Sequence, residues 1–123
     1  MTERFSPSAG NAPEKPSAIN KVAVLNDQLR KTLQGGRVMM TRGVQSLGQD
    51  TVYKIMDAVR SADHFDPDND PYGEHDFGSV TVDGNKYFWK IDYYDQELKF
   101  HSPDKSDSNV TTRVLTIMLA EEY

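Results

Sequence analysis

The chain has 123 residues and a mass of 13.9 kDa, enough for one domain around one core and too little for two. It contains no cysteine, so disulfide scaffolds, thiolate zinc sites and cysteine nucleophiles are excluded. No apolar run approaches the roughly 18 residues of a membrane span, and no basic start with an apolar stretch marks a secretory signal. The expectation is a soluble, cytoplasmic protein with no membrane partner.

The net charge of −5 is a cancellation. Residues 1–62 carry +4, residues 63–107 carry −8 from twelve acids against four lysines, and residues 108–123 carry −1. The acidic part disfavours contact with phosphate backbones; the basic part does not. Charge blocks of this size are most often solvated faces of one fold.

Residues 1–16 hold three of the six prolines among Ser, Gly and Asn, with too little apolar surface to offset ordering. They read as a disordered leader, and a single domain is expected over 17–123. From Ser17 onward, Ile19, Val22, Leu29 and Leu33 repeat with a helical period. Ser17 is placed to cap that helix and Gly35-Gly36 to end it. Residues 37–42 (RVMMTR) alternate and predict a strand, followed by a connection over 43–48. Val52, Ile55, Met56 and Val59 fall at offsets 0, 3, 4 and 7 and predict an amphipathic helix over 50–62.

Residues 64–78 follow neither period and are punctuated by Pro67, Pro71 and Gly73. A loop of about fifteen residues is long for a compact domain and often marks function or flexibility. Residues 79–82 and 86–95 predict strands joined through Asp83-Gly84, a strong hairpin signal. The second strand turns Tyr87, Trp89, Ile91 and Tyr93 to one face and Phe88, Lys90, Asp92 and Tyr94 to the other. Leu98 and Phe100 suggest a third antiparallel strand, and residues 102–109 a polar turn. Residues 110–123 are ambiguous: Val114, Ile117 and Met118 fit a helical period, and the segment's length and the capping residues Ser106, Asp107 and Ser108 favour a closing helix, although the threonines and valines favour a strand. The expected fold class is α+β: a small, mostly antiparallel sheet packed with two or three helices.

The stretches NDPYGEHDFG (69–78), FWKIDYYD (88–95) and TTRVLTIMLAEEY (111–123) resemble a family of short bacterial proteins known only as a domain of unknown function. LNDQLRKT (25–32) and GGRVMMTRGV (35–44) look like the same family, so the resemblance spans about residues 20–123. It implies a bacterial cytoplasmic source, on chromosomes, plasmids or other mobile elements. It implies no reaction, cofactor or catalytic residue.

The residues themselves offer four chemistries. Asp66, Asp68, Asp70 and Glu74, with His75, can supply hard oxygen ligands and an imidazole to a divalent cation. The run is not an EF-hand, because Pro71 occupies the sixth position and Phe77 the twelfth. The plainer reading of these aspartates is solvated Asx-turns, and no cofactor is otherwise expected. Glu74, His75 and Asp76 are the candidate acid–base residues, although neighbours in an extended segment point opposite ways. A zinc site would need His64, His75 and His101 to meet in space. Lys90 and Asp92 lie two apart on one strand face, as a lateral ion pair would.

For nucleic acid, Lys21, Arg30, Lys31, Arg37 and Arg42 can meet phosphate, and Trp89 with Tyr87, Tyr93 and Phe100 can stack on bases. Such aromatics are more often the core face of a sheet, and no helix-turn-helix or zinc-finger pattern accompanies them.

Three functional readings follow. The leading one is a protein-interaction or regulatory module that presents its acidic 63–107 region to a basic protein partner, with Tyr72, Asp92 and Tyr94 as candidate contacts. An inhibitor encoded on mobile elements is one form of it. The second is a metal-assisted hydrolase built on residues 63–76, and the third a nucleic-acid-associated protein using the basic N-terminal half.

Overall fold

The computed structural model describes residues 18–123; the predicted leader and the Ser17 cap lie outside them. Its elements in chain order are helix α1 (Ala18–Thr32), strand β1 (Arg37–Met40), a single helical turn α2 (Arg42–Gln45), helix α3 (Gln49–Ser61), strands β2 (Phe77–Val82), β3 (Asn85–Tyr94) and β4 (Thr112–Leu119), and a closing 3-10 turn (Ala120–Glu122). The strands form one sheet in the order β1-β4-β3-β2. β1 pairs with β4 in parallel; the other two pairings are antiparallel. This is the expected α+β architecture.

The apolar stripes explain the layering. Leu29 of α1, Val44 of α2, and Ile55 and Val59 of α3 pack on Trp89 and Ile91 of β3 and Leu115 and Ile117 of β4. Those four strand residues alternate with others that point away, so all helices cover one sheet face. Each fully buried aliphatic side chain contributes about 1.5–3 kcal/mol of transfer free energy. At the β2–β3 hairpin Asp83 (φ +52) and Gly84 (φ +84) are both left-handed, as a two-residue I′ turn requires.

Two sequence expectations are corrected. The closing segment is a strand, β4, not a helix. It is flanked by β1 and β3 and buried on both faces, with Leu115 and Ile117 under the helices and Val114 and Met118 on the other side. A central strand of this kind reads as a near-continuous apolar run, which a helical period also fits. The third antiparallel strand around Leu98 and Phe100 does not form. Asp95 accepts the backbone N–H groups of Glu97 and Lys99, and Leu98 adopts φ +62, so the chain turns. A single bridge between Tyr94 and His101 is what remains of the pairing.

The helix-free sheet face carries Phe88, Lys90, Asp92 and Tyr94. Phe88, Phe77 and Tyr123 cluster there with ring centroids 5.0–5.5 Å apart.

Candidate functional site

Residues 62–76 contain no regular structure, yet polar bonds hold them in place. Asp66 Oδ1 accepts the N–H groups of Asp68 (2.9 Å) and Asn69 (3.0 Å), an Asx-turn. The N–H of Asn69 is the main cause that holds the Asp66 carboxyl below its ordinary range. Asp70 is buried and accepts from the backbone of Glu74 (3.0 Å) and His75 (3.2 Å). Those two bonds hold His75 at φ +57. Its ring then stacks on Phe65, 3.9 Å between centroids and 6° from parallel, with Nδ1 3.0 Å from both carboxylate oxygens of Asp27 on α1.

The Glu74-His75-Asp76 triplet therefore divides three ways. Glu74 meets Lys105 (Oε2 to Nζ, 2.6 Å), His75 meets Asp27, and Asp76 accepts from the Tyr93 hydroxyl at 3.0 Å. Among the described residues no three His, Asp or Glu side chains gather as a metal ion requires. Asp68 is exposed, and His64 reaches Asp66 at 3.2 Å. Tyr72 stands at the loop tip, 70% exposed. Asp92 pairs laterally with Lys90 at 3.1 Å, and half-buried Tyr94 shares their face.

Beneath the loop lies a buried polar cluster that the motifs did not announce. Asn26, fully buried on α1, donates to the Glu74 carbonyl (3.0 Å) and the Tyr93 hydroxyl (2.7 Å) and accepts from Arg113 Nε (2.9 Å). Arg113 also donates to the Lys105 carbonyl and lies over the Tyr93 ring. Burial lowers the Arg113 pKa and raises that of Tyr93. Arg30, expected on a solvated basic face, is instead buried. It donates to the carbonyls of Val59 (2.9 Å) and Ala62, pairs with Asp27 (3.1 Å) and lies over Phe65 and Trp89. One sequence signal was available: Asn26 fills the gap between Val22 and Leu29 in the apolar stripe of α1.

Asp76 is half-buried, and burial is the first cause that raises its pKa. The Tyr93 hydroxyl opposes the shift, and the Glu74 and Asp70 carboxylates add to it. With a raised native pKa the folded state binds the proton more readily than the unfolded state. Stability then falls as pH rises from the ordinary aspartate range through the native value. Asp76→Asn mimics the neutral acid and still accepts from Tyr93. Chemical denaturation as a function of pH should show the variant gaining on the wild type as pH rises toward neutrality, with no gain near pH 3. Equal differences at both ends of the range would contradict this.

The cations predicted for phosphate contact scatter. Lys21, Lys31, Arg37 and Arg42 are exposed, while Arg30 is committed internally. Tyr87 and Trp89 lie in the core, and Phe100 is 73% exposed and outside it. Among the described residues no helix is long and apolar enough to cross a membrane.

Strand β2 forms one border of the sheet. The N–H of Ile91 bonds the Asp76 carbonyl at 2.8 Å, which sets the alternation of the antiparallel ladder. Gly78, Val80 and Val82 turn their backbone polar groups to β3, and Phe77, Ser79 and Thr81 turn theirs outward. The strand FGSVTV has no charge and no proline. Beside it a cleft of about 310 Å³ opens between the strand and the C-terminal end of α3, with Ser61, Asp63, Gly78 and Trp89 in its walls. Trp89 is 1% exposed, and its Nε1–H has no hydrogen-bond partner among the described residues.

A family model described as Protein of unknown function (DUF3768) matches residues 40–122. No curated protein and no solved structure matches the chain.

Proposed function

We propose that this chain, which belongs to the family Protein of unknown function (DUF3768), is a protein-interaction module that accepts an extended segment of a partner along the border of β2. The observation that carries the reading is the outward row of backbone groups on Phe77, Ser79 and Thr81, on a border strand with no charged residue and no proline. Edge strands of stable monomers are commonly blunted by lysine, proline, a bulge or a covering loop. Six uncharged residues, four of them β-branched or aromatic, form a template for strand addition.

Charge defines the partner further. Asp63, Asp66 and Asp68 lie in the segment beside the cleft, while Asp83 at the hairpin is paired with Lys54 at 3.4 Å. A docked segment with Lys or Arg next to its extended stretch complements Asp63 and the exposed Asp68, in keeping with the acidic character of residues 63–107. A metal-assisted reaction gains less support. Asp70 is engaged with backbone amides, Glu74 with Lys105 and Asp76 with the Tyr93 hydroxyl.

Ser79→Pro deletes one outward N–H and leaves the β3 ladder untouched, because proline is tolerated where the strand's N–H faces solvent. The partner recovered with the wild-type chain from its native host should be lost with Ser79→Pro and retained with Ser79→Ala. Retention by both variants would remove the edge from consideration.

A further inference from the structure

The helices pack on one side of the sheet, and among the described residues no helix covers the other. On that bare side β3 carries an alternating row, Lys86, Phe88 and Lys90, each about 6–7 Å from the next along the strand. The Phe88 ring is held by Phe77, stacked at 5.5 Å, and by Tyr123 at 5.0 Å, while Lys86 Nζ stands 6.0 Å from its centroid. Arg37, two strands away on β1, turns to the same side and is exposed. The only acid that the strands turn to this side is Asp92, paired with Lys90 at 3.1 Å. The face is therefore net positive in a chain of net charge −5.

Charge selects the occupant. A second copy would set cations against cations, and a basic segment of the kind suited to β2 is repelled in the same way. A polyanion is attracted, and a single-stranded nucleic acid supplies both complements at once: phosphates for the cations and flat base faces for the ring. Four-stranded sheets with aromatic side chains on an open face bind single strands in this manner. We propose that the helix-free sheet face binds a single-stranded nucleic acid, with a base stacked at Phe88 and phosphates at Lys86, Lys90 and Arg37. Phosphates and base faces are common to RNA and DNA, so both are bound. The inference uses side chains of the open face and does not rest on the backbone edge of β2.

The test is fluorescence anisotropy of the full chain with a short fluorescein-labelled oligouridylate, the matching oligothymidylate and a duplex of the same length. At low salt both single strands should bind, and more tightly than the duplex, whose base faces are stacked inside. The logarithm of affinity should fall with the logarithm of salt at a slope of about −1.5 to −2, as two or three neutralised phosphates give. Phe88→Leu keeps apolar bulk against Phe77 and Tyr123 and removes the ring; it should weaken binding about 5-fold or more, as the loss of one stacked base does. Lys86→Gln should weaken binding and flatten the slope. Lys31→Gln makes the same charge change on the exposed side of α1, across the sheet, and should do neither. No binding at low salt, a duplex bound as tightly as the single strands, or equal losses from Lys86→Gln and Lys31→Gln would overturn the proposal. Self-association of the chain that Phe88→Leu abolishes, with no oligonucleotide bound, would overturn it in favour of a second copy. Lys86 is exposed near the hairpin, so its arm of the test stands even if Phe88→Leu does not fold.

Discussion

Replacing Gly78 by valine should destabilise the protein by about 3 kcal/mol, a large share of the 5–15 kcal/mol typical of a small domain. The expected Cβ position lies 2.7 Å from Cε2, Cζ2 and Nε1 of Trp89. The indole has no room to yield. Phe65 meets it edge-on at 6.1 Å, and the Arg30 guanidinium lies over it at 5.2 Å. Interiors are packed to crystal density, so the clash must displace a fully buried ring or spread the β2–β3 pairing. Urea unfolding followed by Trp89 emission reads the effect directly. A midpoint equal to that of the wild type would show that the ring is free to move.

The second large effect is expected at Asn26. Asn26→Ala leaves the Tyr93 hydroxyl, the Glu74 carbonyl and Arg113 Nε short of partners in a buried place. The expected loss is about 3 kcal/mol, because an unsatisfied buried group costs far more than an average hydrogen bond contributes. A double-mutant cycle with Tyr93→Phe should give a coupling of about 1 kcal/mol, since the two side chains share one network. Additive losses would mean that the two residues act independently. The cluster joins α1 to β3, β4 and the loop, so its loss should also loosen residues 70–76 in hydrogen exchange.

Some of this was legible in the sequence. The helix over 50–62 carried a full apolar stripe and appears as Gln49–Ser61. Asp83-Gly84 announced the hairpin, because few other residue pairs tolerate two left-handed positions in a row. The closing strand was obscured by its own burial. With both faces covered, Val114 through Met118 lose the polar alternation that distinguishes a strand from a helix. Leu98 and Phe100 misled in the opposite direction, as apolar residues in a turn that Asp95 organises through its side chain.

For the candidate site, the notable residue types in 64–78 were visible and their partners were not. His75 depends on Asp27, 48 residues away, and Arg113 on Asn26, 87 residues away. Such pairings follow from the packing of α1 onto the sheet, which local pattern does not encode. The β2 edge was hidden for a related reason. A strand is known to be a border only when every other strand has been placed, and the length and capping residues of 110–123 favour a helix where β4 lies.

The measurement closest to the central claim is hydrogen exchange on the chain with and without its captured partner. Strand addition on β2 predicts new protection at Phe77, Ser79 and Thr81, with Gly78, Val80 and Val82 already protected by β3 in the free protein. Protection appearing instead on the helix-free face around Phe88 and Tyr94, with the outward amides of β2 still exchanging freely, would contradict it.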